Sequence, residues 1–198
     1  CLVMLSTSYL FTRGGSMEEL GKKIDEVSNH LTKLRWEIWT EHVVFTWKWW
    51  LLVFICILFL ILFVVFIKKE MIFQSFSYYC LIYILNRNLD DIATAKDWYD
   101  YRIQLEPIIS TMLPANLFAV PITLTLIYQK CPRWKDFLLI LALISGGIAF
   151  LALPMMKDSG FYLTKDWNAF YSFLSLVAMA SLSKLTIDQI KKVQEANR

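Results

Sequence analysis

The acidic residues that follow the second apolar stretch are the densest set of side chains in this sequence that could do chemistry. Within NLDDIATAKDWYD, four carboxylates lie close enough along the chain to share one divalent cation through oxygen ligands. These residues are Asp90, Asp91, Asp97 and Asp100. The alternative is a solvated acidic loop that Lys96 and Arg102 partly neutralise. Both interpretations stay open at this point.

A second candidate site is the proline-containing segment EPIISTMLPANLFAVP. Pro107, Pro114 and Pro121 are spaced by seven, so on a helix they stand within about 20 degrees of one another. We expect Pro107 at the helix entrance and the other two inside, where each removes a backbone donor and frees a carbonyl. In hydrocarbon a freed carbonyl needs a partner. The candidate hydrogen-bonding side chains are Ser110, Thr111, Asn116 and Asn168.

Two interpretations of this segment follow. One is a kinked helix with a packing role only. The other is a polar pocket, open to the outer leaflet, that binds a small ligand or passes one across. The residues expected to form the pocket are Pro114, Asn116, Pro121 and Asn168.

Motifs of the common enzyme classes are missing. The sequence has no Ser/His/Asp or Cys/His arrangement, no HExxH and no glycine-rich phosphate loop. The aspartates lack the glycine and arginine that flank the acids of phosphatidyltransferases, so transferase chemistry has little support. His30 and His42 have no second close ligand, and the four cysteines show neither disulfide nor metal spacing. We therefore expect no enzymatic activity and no cofactor.

Composition places these residues in a membrane protein. Of the 198 residues, 57% are hydrophobic, against roughly 45 to 50% in soluble domains. The chain is too apolar to keep its whole surface in water. Its formal charge of +3 is small, so we expect no nucleic-acid partner. The expected partner is the lipid bilayer.

Five apolar segments are long enough to cross roughly 30 Å of hydrocarbon, which takes about 20 helical residues. The segments are 47–67, 71–88, about 108–129, about 136–153 and about 170–187. Three tryptophans start the first segment and two lysines end it, as is typical of a membrane span. We predict an all-α membrane protein with a five-helix transmembrane bundle over residues 47–190 and a basic C-terminal tail over 191–198.

Small side chains predict which of these helices pack together. They recur on the fourth segment at Ala142, Ser145, Ala149 and Ala152, and on the fifth at Ser172, Ser175, Ala178 and Ser181. A neighbouring backbone can approach such a stripe closely, so we expect the fourth and fifth helices to pair. Lys184 lies four residues before Asp188. We interpret it as a snorkelling anchor, with a proton or ion relay as the alternative.

Residues 17–46 are predicted to form an amphipathic helix before the first span. Its apolar residues recur at alternating steps of four and three, which is the spacing of a coiled-coil seam. The seam consists of Leu20, Ile24, Val27, Leu31, Leu34 and Ile38. One interpretation is a helix that lies on the membrane interface or on the protein's own loops. The other is self-association or binding of a protein partner.

Five crossings would put the two termini on opposite sides of the membrane. The N-terminal helix shares one side with the loops 89–107 and 154–169. On the other side, basic residues crowd into short stretches next to the helix ends. Because basic residues near span ends favour the cytoplasm, we predict the N-terminus outside and the C-terminus in the cytoplasm.

The first residues raise the question of where translation starts, because the stretch RGGSM ends at an internal methionine, Met17. A purine-rich ribosome-binding sequence read in frame can encode Arg-Gly-Gly. The segment CLVMLSTSYLF lacks the basic region and cleavage site of a signal peptide and is too short to span a membrane. We expect translation to start at Met17, which makes residues 1–16 an upstream reading. The alternatives are an ordinary flexible tail and a lipid-modified Cys1.

Several stretches together resemble a family of small five-pass membrane proteins from spore-forming bacilli and their relatives. They are FTWKWWLL, LDDIA, LPANLFAVPITLTLIYQKCPRWKDF and DWNAFYSF. The resemblance covers the chain from Met17 to about Ile190. It implies a bacterial plasma membrane, and it brings no catalytic residues with it.

Two functions are therefore expected. The first is a non-enzymatic structural or partner-binding membrane component, which would use the seam of the N-terminal helix. The second is a small permease or ligand-binding membrane protein, which would use the proline-broken third helix.

Overall fold

The computed structural model of the chain describes residues 16–196. Most of them lie in helices: α1 (Met17–Ile38), α2 (Trp47–Phe66), α3 (Ile72–Ala95), α4 (Val120–Lys130), α5 (Trp134–Gly147), α6 (Leu153–Asp158) and α7 (Ala169–Ala196). Two short strands, β1 (Tyr99–Tyr101) and β2 (Tyr162–Thr164), pair as an antiparallel sheet. The expectation about the start of translation falls on residues that, except for Ser16, lie outside the described range.

Three helices in the described part of the chain are long and apolar enough to cross a membrane. They are Trp47–Phe66, Trp134–Asp158 and Ala169–Ala196. The second of them joins α5 and α6 through a π-helical turn at Ile148–Ala152. These three coincide with the first, fourth and fifth segments expected from hydropathy. The protein is thus mostly helical, and its three apolar helices indicate membrane association.

The third expected segment begins later than predicted. Residues 108–112 are not helical, and the helix opens with a π-helical turn at Pro114–Ala119 that runs directly into α4. Pro107 therefore lies in a loop, and Pro114 occupies the first turn, where a missing N–H costs little. The prediction that Pro107 marks the helix entrance and Pro114 lies inside the helix is wrong. Pro121 does lie inside the continuous helix.

The helical fold also contains a small sheet that the sequence analysis did not predict. Its register places Tyr99 opposite Thr164 and Tyr101 opposite Tyr162. Both strands are three residues long and lie in segments that hydropathy treats as simple connections between spans. Their tyrosines and threonine favour extended backbone, but strands this short give no clear alternating pattern. The sheet joins the loop after α3 to the loop before α7.

The main apolar core lies between α3, α4, α5 and α7. Tyr78 of α3 stacks on Tyr128 of α4 with 4.4 Å between ring centroids, and its hydroxyl donates to the carbonyl of Ala180 at 3.0 Å. Phe137 and Leu141 of α5 are fully buried in the same cluster. The predicted contact between the fourth and fifth helices is present, since α5 packs on α7.

We call one end of the molecule the sheet end, because β1 and β2 gather the loops there. The backbone N–H of Arg102 donates to Phe161 O at 3.0 Å. Trp49, at the start of α2, donates its indole N–H to Leu105 O at 3.0 Å. Lys48 donates to Ser159 O at 2.7 Å. The beginning of α2 is therefore fastened to both loops that carry the sheet.

The opposite end is held by two polar side chains, and we call it the Lys184 end. Gln129 donates to Phe66 O at 2.6 Å and accepts from the Lys68 N–H at 3.0 Å, which ties α4 to the end of α2. Lys184 is buried, lies 3.4 Å from an Asp188 oxygen, and is surrounded by the rings of three aromatic residues. Those rings belong to Tyr128, Trp134 and Phe137. The predicted pairing with Asp188 is present, but Lys184 is enclosed rather than snorkelling to water.

Helix α1 begins with a capping box, in which Ser16 and Glu19 exchange side-chain-to-backbone hydrogen bonds. The helix has no buried residue. The six seam side chains are between 41% and 69% exposed, so the rest of the described chain leaves most of this face uncovered. Leu31, Leu34 and Ile38 border a cavity whose other wall is the loop at 100–107.

Candidate ligand site around Asp90

Asp90 is a carboxylate buried at the sheet end, and its side chain joins three parts of the fold. The residue is 3% exposed and lies near the end of α3. One oxygen, Oδ1, accepts hydrogen bonds from the hydroxyls of Tyr99 at 2.6 Å and Tyr101 at 2.9 Å. The other, Oδ2, accepts from the side-chain amide of Asn116. A single carboxylate thus links α3, β1 and the π-helical turn before α4.

Strand geometry explains the two tyrosine contacts. In β1 the side chains of Tyr99 and Tyr101 are two residues apart and therefore point to the same face of the sheet. Both hydroxyls consequently reach one oxygen of Asp90. Tyr162 of β2 packs against both rings, with centroid distances of 5.3 Å and 5.5 Å.

Helix geometry explains the amide contacts. Asn86 lies one turn before Asp90 on the same face of α3, and its amide donates to Asn116 Oδ1 at 2.6 Å. Asn116 is 3% exposed, and it belongs to the π-helical turn just before Pro121. Because Pro121 has no N–H, the Leu117 carbonyl lacks its usual helical donor. The hydroxyl of Tyr79 on α3 donates to that carbonyl at 2.7 Å.

A cavity of about 90 Å³ lies beside this cluster. Its wall includes Asp90, Asn116, Tyr162, Trp167 and Ser172. The last three also line a larger groove of about 390 Å³ between α6 and the start of α7. The Trp167 ring stacks on Trp98 at 5.4 Å, and its indole N–H donates to Ser172 Oγ at 2.8 Å. The inner cavity and the outer groove therefore meet at a largely aromatic boundary.

Burial dominates the electrostatics of the site. Loss of solvent raises the pKa of the Asp90 carboxyl, while the hydrogen bonds from Tyr99, Asn116 and Tyr101 act in the opposite direction. Burial, and then the nearby Asp90 charge, raise the pKa of Tyr99 and Tyr162, so these hydroxyls stay protonated. Within residues 16–196, Asp90 forms no salt bridge with Lys, Arg or His. Its charge is thus met by dipoles rather than by a cation.

The structure does not bring the four aspartates together around one cation. Asp91 pairs with Arg87 at 3.0 Å, Asp97 pairs with Lys165, and Asp100 lies 3.5 Å from Arg102. Across the described residues, no group of three or more His, Cys, Asp or Glu could hold a metal ion. The physical reason is that neighbouring helical residues point about 100 degrees apart, so Asp90 faces inward while Asp91 faces outward.

The residues expected to form the proline pocket are partly brought together. Pro114, Asn116 and Pro121 are all buried, and Asn116 takes part in the Asp90 network. Asn168 is exposed and caps α7, since its side-chain oxygen accepts from the Tyr171 N–H at 3.0 Å. It lines the outer groove rather than supplying a partner for a freed carbonyl.

Sequence reasoning missed the aromatic half of the site: Tyr79, Tyr99, Tyr101, Tyr162 and Trp167. One local signal was available, because Y-D-Y at 99–101 has the alternation of a strand directly after the aspartates. A second was the helical spacing of Asn86 and Asp90. The contacts of Tyr162 and Trp167 depend on the pairing of two distant loops and give no local signal.

Neither a protein-family model, nor a curated protein, nor a solved structure matches this chain. Fold and site together define a class: a helical, membrane-associated protein with an isolated buried carboxylate beside an aromatic cavity.

The raised pKa of Asp90 gives a testable pH dependence. The folded state binds the Asp90 proton more tightly than the unfolded chain does, so the contribution to stability is fully present below the ordinary pKa near 3.8. That contribution is lost as the pH rises through the higher folded pKa. The free energy of unfolding of the wild type, measured relative to Asp90→Asn, should fall over this acid range. Denaturant titration of the purified protein in detergent at a series of pH values measures it.

The matched control is Asp91→Asn, which changes the neighbouring, more exposed carboxylate. That variant should follow the wild-type profile. A difference between the wild type and Asp90→Asn that stays constant with pH would show that burial does not perturb Asp90.

Proposed function

We propose that the chain is a multi-pass bacterial plasma-membrane protein with five crossings that binds a small ligand in the Asp90 cavity. One observation carries the proposal: the buried Asp90 carboxylate has no cation partner in the described part of the chain and lies beside a cavity that adjoins an outer groove. Isolated buried charge beside a concave aromatic pocket is typical of a binding site.

The grouping of helix ends supports five crossings. The Gln129 contacts bring the end of α4 to the end of α2. The Asp90–Asn116 hydrogen bond brings the end of α3 to the start of the third helical stretch, Pro114–Lys130. Consecutive helical stretches therefore run in opposite directions between the sheet end and the Lys184 end. In this arrangement residues 72–88 of α3 and Pro114–Lys130 are the two less apolar crossings, and α4 is the more buried of the two.

Charge supports the orientation. The basic residues of the turns at the Lys184 end, Lys68, Lys69, Lys130, Arg133 and Lys135, lie in short stretches next to helix ends. This density favours the cytoplasm for the Lys184 end. The sheet end, with the Asp90 cavity and α1, then faces outward. The family resemblance supports a bacterial plasma membrane.

The packing favours binding over passage across the membrane. Below the cavity, toward the Lys184 end, the bundle is filled by the Tyr78–Tyr128 stack and by fully buried Phe137 and Leu141. The site also favours binding over catalysis, because three hydrogen-bond donors already hold the Asp90 oxygens. We therefore place this protein among non-enzymatic ligand binders.

Cysteine accessibility tests both the topology and the open pocket. In a background with the native cysteines replaced by alanine, a small membrane-impermeant thiol reagent on intact cells should modify Ser159→Cys and Ser172→Cys. It should spare Gln194→Cys, which would lie inside. It should also spare Ser183→Cys, because Ser183 is 1% exposed and lines no described cavity, whereas Ser172 on the same helix is 9% exposed and lines the groove. Mass spectrometry of each purified variant gives the extent of modification.

The two parts of this prediction fail separately. Modification of Gln194→Cys with protection of Ser159→Cys would reverse the orientation. An unreactive Ser172→Cys in a protein whose Ser159→Cys reacts would remove the open pocket and with it the proposed binding function.

A second candidate function is self-association through α1, and it rests on the uncovered seam. The occupant we propose is a second copy of the chain rather than an anionic lipid surface, because α1 carries four basic and five acidic side chains. In an antiparallel pair the seam is self-complementary: Ile24 meets Leu34, Leu31 meets Val27, and Ile38 meets Leu20 of the other copy. In that register Lys23 lies opposite Glu37, which gives two attractive contacts.

Substitution of the seam tests this second candidate. Replacing Ile24, Leu31 and Ile38 by Asp should abolish crosslinking between copies in membranes, because each apolar contact would become a buried charge. The control places three Asp on the opposite face, at Lys22, Asn29 and Lys33, and should crosslink like the wild type. Lys23→Glu and Glu37→Lys should each weaken crosslinking, and the double variant should restore it. Equal crosslinking in the seam and control variants would contradict the pairing.

A further inference from the structure

The chemistry of the Asp90 cavity indicates what kind of ligand it takes. We propose that it binds a small organic ammonium ion, with the Asp90 carboxylate as counter-ion and the faces of Tyr162 and Trp167 as walls. This inference rests on the proposed binding function and adds the charge and chemical class of the ligand.

Charge is the first argument. An ionised carboxylate offers about four acceptor positions, and Asp90 uses three of them for Tyr99, Tyr101 and Asn116. The hydroxyls and the amide orient the carboxylate but bring no positive charge. A cation in the cavity would therefore find an oriented, uncompensated anion at close range.

The walls are the second argument. Aromatic faces attract cations within about 6 Å of the ring centroid, most strongly when water is excluded. The Tyr99 ring lies 5.3 Å from Tyr162 and 5.7 Å from Trp167, so the three form one aromatic cluster beside Asp90. A neutral apolar ligand would gain from these rings but would leave the carboxylate without a counter-charge.

Donor number and size separate an organic cation from a metal ion. Calcium and magnesium take six or more oxygen ligands, whereas this cavity offers one carboxylate and the neutral polar side chains of Asn86, Asn116, Ser172 and Ser175. The side-chain oxygens of Asn116 and Ser172 already accept hydrogen bonds within the protein. A cavity of about 90 Å³ has room for a compact head group. The adjoining groove of about 390 Å³ has room for a polar substituent on it.

A pair of probes with the same shape and different charge tests the proposal. Choline carries a trimethylammonium group, and 3,3-dimethylbutan-1-ol is its neutral carbon counterpart. Titration of the full chain in detergent, followed by tryptophan fluorescence and calorimetry, should show saturable binding of choline and none of the alcohol over the same concentrations. Asp90→Asn should weaken choline binding at least about tenfold, because the counter-charge is lost.

Two further variants separate recognition from folding. Trp167→Leu keeps an apolar wall and removes an aromatic face, so choline binding should weaken about two- to fivefold. Asp91→Asn should leave it unchanged. If Asp90→Asn proves unstable, the Trp167 and Asp91 variants still decide the outcome.

The results that would contradict the ammonium ligand differ from those that would contradict the proposed binding function. Equal binding of choline and the alcohol would overturn the cationic ligand and leave a ligand site in place. Absence of binding by either probe, in a protein whose Ser172→Cys reacts with thiol reagent, would overturn the ammonium proposal and leave the open pocket. Choline binding that Asp90→Asn does not change would place the cation elsewhere and would also overturn it.

Discussion

The Asp90 carboxylate is the constraint on which the sheet end of this structure depends. Removing a carboxylate from water is costly unless hydrogen bonds or a counter-charge replace the solvent. Here the replacement comes from two tyrosines of β1 and one asparagine of the π-helical turn. Those donors reach Asp90 only if β1 pairs with β2 and the third helical stretch starts at Pro114. Satisfying one charge thus fixes the relative positions of several segments.

The same constraint accounts for the irregular backbone at this end. A break in the hydrogen bonding of a buried helix is tolerated where neighbouring groups replace the lost bonds. Tyr79 does this for the Leu117 carbonyl that Pro121 leaves without a donor. The break also presents Asn116 toward α3, where Asn86 and Asp90 hold its amide from both sides. The proline, the π-helical turn and the carboxylate therefore form one polar arrangement beside the cavity.

How far the sequence could predict this depends on the range of the interactions. The helix α2 follows from its apolar run, because burial in lipid needs no information from elsewhere in the chain. The continuation of α3 beyond residue 88 could not be predicted in this way. The polar side chains of its last turns find partners only in the folded protein. The closeness of the aspartates in the sequence wrongly suggested a shared cation site, because Asp90 and Asp91 point to different faces of α3. Asn116 was predicted from the prolines beside it, whereas Tyr162 and Trp167 reach the site through long-range loop pairing.

The most direct test of the Asp90 network is a double-mutant cycle between Asp90→Asn and Asn116→Ala, with the free energy of unfolding measured in detergent. Residues that share a buried hydrogen bond are coupled by about 0.5 to 3 kcal/mol, and we expect a coupling energy in that range. The parallel cycle between Asp91→Asn and Asn116→Ala should be additive. Additive effects for Asp90 and Asn116 would contradict the account, because the carboxylate would then not hold the third helix to α3.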